Sequence, residues 1–76
     1  MSIVLPVGIT FDAWAATLFV DFSTDEIPLP PTEADWKDWA ARLVERNVFQ
    51  NDDIPRPYGF NDWREWAQRV AQVING

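Results

Sequence analysis

Cysteine and histidine are both missing from this 76-residue chain. Without cysteine there is no disulfide framework, no thiolate metal site and no thiol nucleophile. Without histidine the commonest general base near neutral pH and the commonest nitrogen ligand are gone too. Glycine occurs only three times, which leaves no Gly-rich phosphate loop and no nucleophile elbow. Asp52-Asp53 after Asn51 looks like half a calcium loop, but the remaining ligand spacing and the closing glutamate are absent, so it reads as a solvated turn. Asp25-Glu26 reads the same way. These gaps predict a protein that is not an enzyme and has no metal, cofactor or small-molecule substrate.

Long apolar runs are also lacking. The opening MSIVLPVGITF has no basic flank, is interrupted by Pro6 and Gly8, and is too short to cross a bilayer. It reads as neither a signal nor a membrane segment. Positive charge is missing from one half: residues 1–35 carry six acids and no base, whereas residues 36–76 carry six of each, for a net −6. A surface of that sign is unsuited to a phosphate backbone and predicts no nucleic-acid binding. It suits a basic protein surface, or simply solvent.

What is abundant is tryptophan. Five of the 76 residues are Trp and 47% of the chain is apolar, a globular composition for a domain near the lower size limit for a single core. The tryptophans stand in a repeat. DWKDWAARLV at 35–44 returns as DWREWAQRVA at 62–71, and aligning Trp39 with Trp66 places Trp14 in the same column. Phe11, Trp36 and Trp63 precede that column by three residues; Ala15, Ala40 and Ala67 follow it; Leu18, Leu43 and Val70 close the pattern. Ile27-Pro28-Leu29-Pro30 follows the first unit and Ile54-Pro55-Arg56-Pro57 the second, with spacings of 25 and 27 residues between the aligned tryptophans.

Apolar residues at i, i+3, i+4 and i+7 make each unit an amphipathic helix: Phe11, Trp14, Ala15, Leu18 and Phe22; Trp36, Trp39, Ala40 and Leu43; Trp63, Trp66, Ala67, Val70 and Ile74. Thr10, Asp35 and Asp62 stand at the N-cap column, Asp62 with Glu65 resembling a capping box, and Thr32 is a rival start for the second helix. Asn47 and Asn75-Gly76 suit helix ends. The connectors, roughly a dozen residues against the usual 2–8, favour a stiff extended course. The expected fold is all-α: one domain over 1–76, with units at about 10–30, 32–57 and 61–76. Three short helices from a degenerate repeat would cluster irregularly under Pro-rich connectors, behind an N-terminal arm or short strand. An extended string of helices laid on a partner is the other arrangement.

The aromatic stripe is first of all a core, with Leu18, Trp39, Ala40, Leu43, Trp66, Ala67, Val70 and Ile74 as its candidates. One small core does not obviously bury every ring, and Trp, Tyr and Arg dominate binding hot spots. The interface candidates are therefore Phe11, Trp14, Phe19, Val20, Phe22, Trp36, Trp63, Arg56 and Tyr58. AWAATLFVDF is apolar on nearly every side, so the first helix is expected to be covered on every side, either as the central helix of the domain or, the favoured option, by sitting against another chain. Arg42 and Arg69 share a column, where each can pair with the acid at i−4 or lie over an indole.

At the tandem D-W-[KR]-[DE]-W-A-x-R-[LV] motifs, preceded by IPLPPTEADW and IPRPYGFNDW, the chain resembles small structural proteins encoded in the morphogenesis regions of tailed bacteriophages. The likeness is good over 27–74 and loose over 10–22, where the leading tryptophan and the arginine are missing. It implies a minor virion component, assembled in the host cytoplasm and held in multiple copies between larger capsid, neck, tail or fibre proteins, with self-contacts as a further option. The competing expectation is a small acidic intracellular regulator or inhibitor that mimics nucleic acid.

Overall fold

The computed structural model describes residues 2–76, and within them the chain is helical and compact, with no strand. Helices α1 (Phe11–Ala16) and α2 (Leu18–Phe22) meet at Thr17; 3₁₀ turns at Thr24–Glu26 and Glu33–Asp35 lie between α2 and α3 (Trp36–Glu45), and one at Pro57–Gly59 lies between α3 and α4 (Trp63–Asn75). The Cα radius of gyration is 11.0 Å, against about 11.4 Å for a folded chain of this length. The extended string of helices is thereby replaced by a closed cluster. No helix among the described residues is long and apolar enough to cross a membrane.

Local chemistry explains each boundary. Thr10 has extended backbone, and its Oγ1 accepts the Ala13 N–H at 3.2 Å, so α1 starts where an N-cap threonine stands. The first helical stretch breaks at Thr17. Its hydroxyl donates to the Trp14 carbonyl at 2.6 Å, and its N–H is shared between the Ala13 and Trp14 carbonyls. Such a back-bond draws the backbone off the regular ladder and separates α1 from α2.

Asp35 does not cap α3 with its side chain. The turn begins earlier, at extended Thr32, whose carbonyl accepts the Asp35 N–H, so the rival start is where the backbone turns. At α4, extended Asp62 accepts from Glu65 and Trp66 through its carbonyl only, and Glu65 Oε2 reaches back to the Asn61 N–H at 3.4 Å, one residue before the expected partner. Asn47 ends α3 in the left-handed region at φ 51, with Asn47 N–H on Val44 O and Val48 N–H on Leu43 O. Those paired bonds satisfy two end carbonyls, and asparagine tolerates the conformation better than any branched residue.

The N-terminal segment is an arm. Ile3 exchanges two hydrogen bonds with the Asn75 side chain, at 2.8 and 2.9 Å, and Ile3 and Pro6 are buried. The connector isoleucines Ile27 and Ile54 are buried as well, each pinning the start of a proline-rich stretch to the core.

Candidate interaction site

At the centre of the cluster most aromatic rings meet edge to face, while Trp14–Trp63 and Trp36–Trp66 are tilted at 41° and 42°. Trp14 lies 6.3, 5.7 and 6.1 Å from Trp39, Trp63 and Trp66. Phe11 fits between Trp39 and Trp63 at 5.2 and 5.4 Å, and Trp66 also meets Trp36 at 6.1 Å. Each such pair contributes about 0.5–1.5 kcal/mol beyond its burial.

A buried indole N–H must find an acceptor, and here two acceptors are main-chain carbonyls of the arm and a connector and one is a carboxylate. Trp14 Nε1 donates to Val4 O at 2.7 Å, and Trp66 Nε1 to Pro55 O at 2.8 Å. Trp63 Nε1 donates to the Glu33 carboxylate. Trp39 is 2% exposed and its Nε1 has no partner; the Thr24 hydroxyl, fully buried, has none either.

The candidates for outward contact divide. Phe11, Trp14, Trp36 and Trp63 are buried in the chain's own core, which corrects their reading as contact anchors. The helical stripes, the arm residue Ile3 and the connector residues Ile27 and Ile54 together supply enough cover for all five indoles. Phe19 and Phe22 are half-buried, Phe22 against Phe49 at 5.0 Å. Val20 is 89% exposed, Tyr58 62% and Arg56 exposed. The first helical stretch is thus covered on one side by its own chain and bare at Val20. Leu18, Trp39, Ala40, Leu43, Trp66, Ala67 and Val70 are buried; Ile74 is half-buried, on the last turn of α4.

Other residues take parts that periodicity did not assign. The arm shows Val4, Leu5 and Val7 to solvent, Val7 at 80%. Ile3, Ile27, Phe49 and Ile54 join the core from outside the helices, and the paired Ile-Pro connectors were the available signal for two of them. The cations found over indoles are Arg64 on Trp63 at 4.7 Å and Lys37 on Trp36 at 6.0 Å. Each belongs to the residue next to its ring, not to the Arg42 and Arg69 column.

Between the 28–31 connector and the Asp35, Asp38, Trp39 and Arg42 face lies an open groove of about 330 Å³. The Asp52-Asp53 segment is a turn in which Asn51 Oδ1 accepts the Asp53 N–H at 2.8 Å, and no metal-binding cluster occurs among the described residues. The chain matches no protein-family model, and no curated protein or solved structure matches it.

Proposed function

We propose that this protein is a non-enzymatic structural adaptor, a minor virion component that docks in multiple copies onto larger particle proteins. The observation that carries this reading is the bare apolar residue Val20, at 89% exposure, on a domain whose five tryptophans are all sealed inside. The arm residues Val4, Leu5 and Val7 add apolar surface outside the helices. A single exposed valine is ordinary on a folded domain, so the support lies in its company: three more bare apolar residues fall within the four positions 4–7 of the arm. Acidic mimicry has less support, because Glu33, one of the unneutralised acids of the first half, is engaged by Trp63.

The architecture proposed with it is a threefold module: an extended Pro-bearing or arm segment leads into a tryptophan-bearing helix, and the central indole hooks a carbonyl upstream. Supporting it, Trp14 reaches back 10 residues and Trp66 reaches back 11. The Ile-Pro-x-Pro segments would then be the straps of modules two and three.

The test is sedimentation of the parent particle. The polypeptide is expected to co-sediment at fixed stoichiometry and to stay bound at high salt, where an electrostatic mimic would dissociate. Val20→Asp is expected to leave the helical circular dichroism unchanged and to abolish incorporation. Normal incorporation of that variant, or absence of the wild-type chain from the particle, would sink the reading.

A further inference from the structure

Of the three central tryptophans, two have a carbonyl on the indole nitrogen and one does not. Val4 O serves Trp14 and Pro55 O serves Trp66, while the Trp39 Nε1 is buried without an acceptor. The residue that matches Pro55 in the other Ile-Pro-x-Pro segment is Pro28, eleven positions before Trp39. Pro28 and Trp39 line the same groove, about 330 Å³ in volume, yet make no hydrogen bond across it. The shortfall has a cost, since a buried unsatisfied donor is destabilising by about 1–3 kcal/mol.

We propose that this groove receives an extended Pro-x-Pro segment of a partner polypeptide, one partner carbonyl accepting the Trp39 indole proton and a partner cation facing Asp35 and Asp38. The proposal rests on the module equivalence above and is independent of the virion assignment. The chain itself displays the chemistry of the occupant. At Trp66 the acceptor is a proline carbonyl, followed by Arg56 at φ −72, ψ 150, a polyproline-II conformation, and then by buried Pro57. Polyproline-II segments suit such a groove because they are ordered before binding and their carbonyls carry no internal hydrogen bonds.

The groove's charges fit as well. Asp35 and Asp38 are exposed on its α3 side, and Arg42, also exposed, offers a donor for a second main-chain carbonyl. A volume near the lower end of the usual range for ligand sites, about 300–1,000 Å³, limits the occupant to a few residues. Because the Trp39 nitrogen is shielded from solvent, seating a carbonyl on it requires the connector to shift outward. Residues 28–31 include three prolines, which have no N–H to hold them to the core, and Leu29 is only half-buried.

The experiment is a titration of the ¹⁵N-labelled full chain with a blocked synthetic peptide of residues 54–58, Ile-Pro-Arg-Pro-Tyr, observing the indole Hε1 resonances. The Trp39 Hε1, buried but without an acceptor, is expected to resonate upfield of the bonded Trp14 and Trp66 protons in the free protein and to shift downfield saturably with peptide. Trp14 and Trp66 Hε1 should stay protected and unmoved. Replacing both peptide prolines with alanine, or making the exposed double change Asp35→Lys and Asp38→Lys, should weaken binding about tenfold or more. Absence of a Trp39 shift at millimolar peptide overturns the proposal, as does binding indifferent to the double change. With no shift on peptide, a Trp39 Hε1 already as far downfield as those of Trp14 and Trp66 would mean that the chain itself supplies the acceptor, and would leave the modules standing. Rapid exchange at Trp14 and Trp66 would remove the equivalence itself, and the proposal with it.

Discussion

Trp39 and Trp66 occupy the same column of the repeated motif, yet only Trp66 donates its indole proton. Replacement by phenylalanine truncates both rings equally but removes a hydrogen bond only at Trp66. Trp66→Phe is therefore expected to cost about 1 kcal/mol more than Trp39→Phe in urea unfolding. Equal losses would mean that Trp39 already has an acceptor. Thr24 is the same problem with a simpler side chain. Its hydroxyl is fully buried and unpartnered, so Thr24→Val, which keeps the shape and deletes the oxygen, is expected to leave stability unchanged or raise it by up to about 1 kcal/mol. A loss of 2 kcal/mol or more would reveal a hidden partner. Neither orphan was legible in the sequence. Periodicity says that a tryptophan faces inward, but whether its nitrogen meets a carbonyl depends on the path of a segment eleven residues away.

At the scale of the element, caps and breaks decide where helices begin and end. Asn47 holds φ 51 at the end of α3, so Asn47→Val is expected to cost about 1–2 kcal/mol, whereas Asn47→Gly should be close to neutral; thermal unfolding would separate them. The arm depends on another asparagine. Asn75→Ala removes both bonds to the Ile3 backbone and is expected to cost about 1–2 kcal/mol, with the Ile3 amide losing hydrogen-exchange protection. Retained protection would show that Ile3 burial alone pins the arm. The helices were readable because each has a wide apolar stripe of period 3.6 and a cap-type residue before it in the sequence, although only Thr10 caps with its side chain. The break at Thr17 was not, since a threonine at that position either continues the ladder or back-bonds to Trp14.

For the whole molecule, the balance is between a sealed interior and a few bare apolar residues. Val20 meets nothing that would suffer from its replacement, so Val20→Asp is expected to change unfolding free energy by no more than about 0.5 kcal/mol while abolishing any association the residue supports. Analytical ultracentrifugation and chemical unfolding on the same sample would check both halves. Phe19 is a poorer probe, because it is half-buried and its replacement mixes folding with contact. The net charge of −6 is placed unevenly, the first 35 residues carrying no base.

The helical class, the inward stripe and the approximate helix starts followed from the sequence alone, because spacing and caps are local and a 3.6-residue period leaves one consistent backbone. Tertiary structure alone decided that Phe11, Trp14, Trp36 and Trp63 belong to the core and not to a contact surface. A stripe records only that residues share a face. What covers that face depends on how a second helix, a buried Ile-Pro connector and an arm tied to Asn75 close over it, and those contacts join residues as many as 72 positions apart.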